Sequence, residues 1–330
     1  MNLLVTGAAG FIGSTYVRGL LGPGGAAGGA DVTHVTVLDK LTYAGSLSNL
    51  GPADPRLTFV HGDICDAGLV DTLMAGARQV VHFAAESHVD RSITGADPFV
   101  RTNVEGTHTL LQAALRHRVE RFVHVSTDEV YGSVETGTSP EDAPLSPNSP
   151  YAASKAASDL LALAYHRTHG LDVRVTRCSN NYGPHQFPEK IIPLFITNLL
   201  DGADVPLYGD GLNIRDWLHV EDHCHGVELV RTRGRPGEIY NIGGGTALTN
   251  RELTGRLLAA CGADWSRVRQ VADRKGHDRR YAIRDDKARD ELGYRPRHDF
   301  ATGLARTVSW YRDNRPWWEP LKHSAGPAHP

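Results

Sequence analysis

Leu3-Leu4-Val5-Thr6-Gly7-Ala8-Ala9-Gly10-Phe11-Ile12-Gly13 is the stretch that decides the fold. The first four residues read as a short buried strand. A glycine turn follows, and helical spacing then runs to Leu21. Gly7, Gly10 and Gly13 are spaced GxxGxxG rather than GxGxxG. A glycine turn alone carries little weight, but between a strand and a helix it reads as a dinucleotide site. The glycines let the backbone approach a pyrophosphate, and the helix N-terminus attracts its charge.

Outward from that turn, Gly22 to Ala30 is a glycine- and alanine-rich insert that reads as a surface loop without a catalytic role. The strand His34 to Leu38 ends at Asp39. A carboxylate at that place accepts from adenosine ribose hydroxyls and repels a 2′-phosphate, so NAD is favoured over NADP. Further strands are expected over Leu57–His61, Val80–Ala85, Arg121–Val125 and Val173–Arg177, with a helix over Asn103–Leu115. Asp63 stands where an adenine amino group is read, and Ala84 and Ala85 are small enough for a dinucleotide to lie across the sheet edge. Strands alternating with helices predict an α/β fold, a doubly wound parallel Rossmann sheet.

The chain has 330 residues, a formal net charge of -3 and 40% hydrophobic residues. Its composition is that of an ordinary globular protein, and its charge argues against nucleic-acid or membrane partners. A strand starting at Asn2 leaves no room for a signal peptide, and no apolar run approaches a membrane span. Cys65, Cys178, Cys224 and Cys261 are scattered without a CxxC pair, which predicts free thiols in a cytoplasmic protein and no metal site.

Two groups of residues carry the chemistry. Ser126-Thr127-Asp128-Glu129 follows an apolar strand, and in open parallel sheets ligands bind outside the carboxyl ends of strands. A hydroxyl and two carboxylates there can donate hydrogen bonds and act as acid and base. The second group is Tyr151-Ala152-Ala153-Ser154-Lys155, behind Ser149 as N-cap and Pro150 at the first helical position. Tyr151 and Lys155 are i and i+4 on one helix face. An ammonium beside a phenol lowers its pKa from about 10 toward neutrality, giving a general base for a hydroxyl proton. Each group alone also reads blandly, as a solvated acidic turn and as a surface Tyr–Lys pair.

After Cys178 the texture changes. Ser179 to Pro184 is a turn-rich amide cluster, Pro188 to Pro193 opens a short helix, and Pro206 to Gly211 is hairpin-like. His219 to Val230 reads as a helix packed back on the sheet. The polar stretch Glu86 to Ser92 reads as a loop. Arg215, Arg274 and Lys190 can bind a diphosphate through fork geometry or point charge, although any one alone is an ordinary surface cation. The expected division is 1–178 for the dinucleotide with 216–242 packing back onto it. A smaller, interleaved α/β substrate-binding domain takes 179–215 and 243–322, and 323–330 is a tail.

With these residues laid out, the chain resembles the extended short-chain dehydrogenase/reductase family over nearly its whole length. The pieces that carry the resemblance are Thr127-Asp128-Glu129-Val130-Tyr131-Gly132, Tyr151 with Lys155, Ser179 to Pro184, Arg215-Asp216-Trp217, and His82 to Ser92. Within the family it is similar to the nucleotide-sugar 4,6-dehydratases, because the Thr-Asp-Glu triplet separates those from the 4-epimerases. The resemblance implies a bound NAD that is not consumed, a dTDP-glucose substrate and a homodimer through the helix bearing Tyr151 and its neighbour. It assigns NAD contacts to Phe11, Ile12, Asp39, Lys40, Leu41, Thr42, Asp63, Ile64, Phe83, Ala84, Ala85, Thr102, Tyr151, Lys155 and Asn181. It assigns sugar-nucleotide contacts to Ser87, Thr127, Asn180, Lys190, Ile191, Pro206, Leu207, Tyr208, Arg215, Asn250, Asp273, Arg274, Lys275, Gly276 and His277. Lys275 departs from the family, where proline is common.

The implied reaction oxidises the sugar at C4, eliminates water across C5 and C6, and returns the hydride to C6. Tyr151, assisted by Lys155, takes the C4 hydroxyl proton while Thr127 holds that oxygen. Glu129 removes the C5 proton, and Asp128, kept protonated, donates to the departing C6 hydroxyl. Two other readings stay open at this point: an NAD-dependent nucleotide-sugar 4-epimerase, and a non-catalytic NAD-binding regulatory protein.

Overall fold

The computed structural model describes residues 1–22 and 31–324. Most of the glycine-rich insert and the last six residues of the expected tail lie outside that range. In chain order the first half comprises β1 (Asn2–Thr6), α1 (Phe11–Leu21), β2 (His34–Asp39), β3 (Leu57–His61), α2 (Ala67–Ala75), β4 (Gln79–His82), α3 (Val89–Thr94), α4 (Asp97–Phe99), α5 (Thr107–Arg116), β5 (Arg121–Thr127) and α6 (Pro150–His169). The second half comprises β6 (Val173–Cys178), β7 (Asn180–Tyr182), α7 (Ile191–Leu200), β8 (Val205–Tyr208), β9 (Ile214–His219), α8 (Val220–Arg233), β10 (Ile239–Ile242), β11 (Ala247–Thr249), α9 (Asn250–Cys261), β12 (Val268–Val271), α10 (Asp286–Leu292), α11 (Phe300–Asp313) and α12 (Arg315–Ser324).

Seven strands form one parallel sheet in the order β10-β6-β5-β4-β1-β2-β3. Alternation along β1 explains its two-sided burial. Leu3 and Val5 enter the core shared with Tyr16 of α1 and Val227 of α8, while Leu4 enters the core shared with Val70, Leu110, Phe122 and Leu163. The chain leaves β1 for β2 on one side and β4 on the other, so a crevice opens at the carboxyl ends of β1 and β4.

A third core joins α7, α9, α11 and α12 through Phe195, Leu253, Leu257, Phe300 and Trp318. Small sheets of order β11-β9-β7 and β12-β8 accompany it.

Several local expectations are corrected. Pro206 to Gly211 is not hairpin-like, because β8 pairs in parallel with the distant β12. The fourth strand stops at His82, and Phe83 keeps one last backbone hydrogen bond, donating to the Thr6 carbonyl at 3.0 Å, before the chain runs into the cleft wall. The fifth strand runs on to Thr127. Val89 to Thr94, which takes in the last four residues of the expected polar loop, is helical, with His88 accepting at its N-terminus. The helix expected from Asn103 begins earlier, as a π-helical turn over Val100–Gly106. That wider turn aims Asn103 inward, where its amide holds both backbone groups of Glu86 and the Ser154 hydroxyl. The chain is helical through Ser324, two residues into the expected tail.

Candidate active site

A cleft of about 1730 Å³ runs along the carboxyl ends of the sheet strands and under the second half of the chain. Its floor begins at the glycine turn. Gly7 has φ 71°, and a side chain there would meet the Ala84 backbone nitrogen at 2.4 Å. At Gly13 a side chain would meet the Gly7 carbonyl at 2.5 Å. The turn therefore packs backbone against backbone. Helix α1 starts at its end with no side-chain cap on its N-terminus, and Gly10 to Gly13 face the cleft. Uncapped N–H groups at a helix start, on a cleft wall, fit the diphosphate of a dinucleotide.

Asp39 closes one side of this cradle. Its carboxylate accepts from Ala9 N (2.9 Å) and Leu41 N (2.8 Å), which fixes the acid at the end of β2. Lys40 pairs with Asp63 at 2.7 Å. Along the same wall stand Thr42, Ile64, Phe83, Ala84, Ala85, Thr102 and Asn181. His223, buried in α8, lies 3.0 Å from the Asn181 side-chain oxygen, and the Asn181 amide donates to the Ser179 carbonyl. That pair fixes which way the amide points.

The chemical groups sit at the other end, where β5 gives out. Thr127 ends the strand, and its hydroxyl accepts from Glu129 N to start the turn Asp128–Tyr131. That turn sends Asp128 into the protein. It is 3% exposed, and its second carboxylate oxygen has no hydrogen-bond partner. Burial, with Glu129 and Asp216 nearby, pushes the Asp128 carboxyl well above the usual carboxylate range. Glu129 is also raised by burial, but Arg274, Lys190 and Arg215 oppose that push. The two neighbouring carboxyls thus differ in surroundings as an acid and a base must.

Ser149 caps α6 by accepting from Ala152 N, and Pro150 occupies the first turn. Tyr151 and Lys155 both face the cleft and are nearly fully buried. The expected lowering of the phenol by the ammonium is not what the geometry produces. Lys155 Nζ donates to the Val125 carbonyl at 2.8 Å. Burial, with Glu129 and Cys178 nearby, pushes the Tyr151 phenol well above 10, and Thr127 gives only partial relief. Burial brings Lys155 down to about 8, with Asp159 one helix turn on opposing the fall. Asp159 is shared with Arg177 (2.9 Å) and His124 (3.2 Å) in a fully buried group.

The second half roofs the chemical end. Ser87, Asn180, Lys190, Ile191, Pro206, Leu207, Tyr208, Arg215, Asn250, Arg274 and His277 all line the cleft. Leu41, Asp273, Lys275 and Gly276 are not on its wall. Leu41 turns away at φ 52°, and Asp273 is taken up by His277 at 2.6 Å.

Sequence reading missed several groups. Tyr281 lies with its hydroxyl 2.6 Å from Asp278 and 3.4 Å from Glu129, its ring under the Arg215 guanidinium. Glu189 and Arg91 meet at the cleft wall. No spacing marks these residues, because they come from segments far apart in the chain.

Among the described residues, one cluster of three brings potential metal ligands together: His219, Glu221 and His298. The two rings stack at 4.0 Å and 22°, so their in-plane lone pairs do not converge on one point. His298 instead bonds Asp222 and Glu221 and is pushed up to about 9 by them.

The profile of the GDP-mannose 4,6-dehydratase family matches residues 4–307. A dTDP-glucose 4,6-dehydratase of Streptomyces antibioticus is 73% identical, over 100% of this chain and 98% of its own. The crystal structure of a Streptomyces venezuelae dTDP-glucose 4,6-dehydratase, DesIV, holds NAD and dTDP. It is 66% identical with a TM-score of 0.95, covering 97% of this chain and 100% of that one. A UDP-glucose 4-epimerase of Thermotoga maritima, solved with UDP-glucose, shares the shape at a TM-score of 0.87 but only 30% identity, over 96% of this chain and 100% of that one.

Asp128 gives a test of this electrostatic account. Its folded pKa lies above its unfolded value, so between the two the folded chain binds the extra proton and stability falls as pH rises. Asp128→Asn should therefore raise the melting temperature at neutral pH, and the gain should vanish below the ordinary carboxylate range. Equal melting temperatures at neutral pH would contradict the buried, protonated assignment.

Proposed function

The chain belongs to the GDP-mannose 4,6-dehydratase family, and from that premise we infer that it converts dTDP-glucose to dTDP-4-keto-6-deoxyglucose, an NAD-dependent hydro-lyase reaction. The observation that carries this reading is that the buried Thr127 and Asp128 and the half-buried Glu129 share one cleft wall with Tyr151 and Lys155, beside the glycine cradle. An epimerase has no need of the acid–base pair at 128 and 129, since no water leaves.

NAD held by the glycine turn and Asp39 would supply the hydride acceptor for C4 and the hydride donor for C6, and its positive ring charge would ease the upward push on the Tyr151 phenol. Tyr151 then accepts the C4 hydroxyl proton, with Thr127 donating to the same oxygen. Lys155, anchored on the Val125 carbonyl, contributes its charge from beneath. The C4 ketone acidifies C5–H, and Glu129 removes that proton. Asp128, neutral because it is buried, protonates the departing C6 hydroxyl. Arg215, Arg274 and Lys190 are suited to the diphosphate, and their charge also keeps Glu129 basic.

We place the cofactor on 1–178 with 216–242, and the sugar nucleotide on 179–215 and 243–322. No helix of the described residues is long and apolar enough to cross a membrane. The described cysteines are all unpaired, which suits a reducing cytoplasm. A homodimer is supported by the exposed apolar side chains Leu160 of α6, Ile93 of α3 and Val100 of the π-helical turn before α5. Light scattering should report twice the chain mass, and a monomer at micromolar concentration would remove this part of the proposal.

Incubation with dTDP-glucose should yield a product lighter by one water; an epimer of unchanged mass would favour the alternative. Glu129→Gln should slow water loss by about 10²-fold or more, while reduced nicotinamide accumulates from the first step. Elimination at the parental rate would remove Glu129 from its role.

A further inference from the structure

The loop after β2 leaves Asp39, arches over the cleft wall and returns to α1. Both ends are tied to the glycine turn. Asp39 accepts from Ala9 N at 2.9 Å, and the Ala9 carbonyl accepts from Ser46 N at 3.0 Å and from the Asn49 amide at 2.9 Å. Leu41 adopts the left-handed backbone region at φ 52°, which is unfavourable for a non-glycine residue. Such a cost persists only where the surroundings hold it.

At the tip stands Tyr43, which the proposed chemistry does not use. Its hydroxyl donates to Glu189 Oε1 at 2.8 Å, in the segment leading into α7 on the far side of the cleft. The Arg91 guanidinium lies 3.6 Å above its ring, and Phe187 meets the ring edge-on at 5.3 Å. Glu189 also pairs with Arg91 at 3.4 Å and His88 at 3.5 Å. Three segments, those following β2, β4 and β7, therefore meet at one half-buried knot across the groove that begins at the glycine cradle.

We propose that Tyr43, with Arg91 and Glu189, is a clasp that retains the dinucleotide between turnovers. The inference rests on the reading of the site given above. There the cofactor is reduced by the first step and reoxidised by the last, so losing it midway strands the substrate as an oxidised intermediate. An ordinary dehydrogenase must release its cofactor every cycle, whereas this site gains by keeping it. A clasp anchored on the cradle and closed by one hydrogen bond to a carboxylate meets that need, because it opens without unfolding either half.

The test measures NAD itself. Wild-type chain, Tyr43→Phe and Arg91→Gln are purified, their NAD content per chain is determined, and release is followed after dilution into a dehydrogenase that traps free NAD. Tyr43→Phe removes only the hydroxyl. It should release NAD about 10-fold faster or more, the scale of one hydrogen bond to a charged group. Arg91→Gln should accelerate release in the same direction, and provides the answer if Tyr43→Phe proves insoluble. A merely structural role would lower the melting temperatures of the NAD-free forms and leave NAD release at the wild-type rate, whereas the clasp predicts faster release. NAD release at the wild-type rate from both variants overturns the clasp and leaves the site reading intact. A wild-type chain that neither carries nor binds NAD overturns both.

Discussion

Holding a buried Asp128 beside a half-buried Glu129 is the arrangement on which the rest of the site depends. Neither carboxyl has a full ion pair, and one Asp128 oxygen has no partner at all. Natural cores avoid such a pair, because a buried carboxylate without compensation is costly. The cost is met unequally. Burial pushes the Asp128 carboxyl well above the usual carboxylate range, while Glu129 has Arg274, Lys190 and Arg215 nearby, which favour its charge. The same cations suit a diphosphate, so in the proposed reaction substrate recognition and the tuning of the base would come from one set of side chains.

The sheet and the glycine turn were legible in the sequence because both are local patterns. Leu3 to Gly13 states strand, turn and helix within eleven residues, and alternation predicts the two-faced burial of β1. Thr127, Asp128 and Glu129 were legible because they follow a recognisable strand. What failed was whatever depends on distant pairing. β8 and β12 are about sixty residues apart and pair in parallel, which no hairpin signal announces. Tyr281 reaches Glu129 only through the fold, and Glu189 finds Tyr43 only across the cleft. The Tyr151–Lys155 spacing was read correctly as one helix face. The charge effect expected of it was not, because burial, with Glu129 and Cys178 nearby, pushes the phenol upward.

The cofactor end and the chemical end differ in how they are held. At the cradle, backbone packs on backbone and side chains are excluded, which suits a dinucleotide that stays in place. At the chemical end nearly everything is a side chain from a different element, brought together by β5, α6, β9 and the segment after β12. A clasp at Tyr43 fits between these two regimes. It is anchored on the rigid cradle and reaches toward the half that must admit the sugar nucleotide. Shape does not distinguish this molecule from a 4-epimerase, since the scaffolds superpose closely. In the proposed reaction the distinction lies in two carboxyl groups and in what surrounds them.

The central claim is that one cleft carries a hydride away from C4, eliminates water with its own acid and base, and returns the same hydride to C6 of the same sugar. It is tested most directly with a mixture of dTDP-glucose bearing deuterium at C4 and a carbon-13-labelled, deuterium-free counterpart, with the products resolved by mass. The account predicts deuterium in the C6 methyl group and only in product that descends from the deuterated substrate. Deuterium appearing in the carbon-13 product, or lost to solvent, would contradict it.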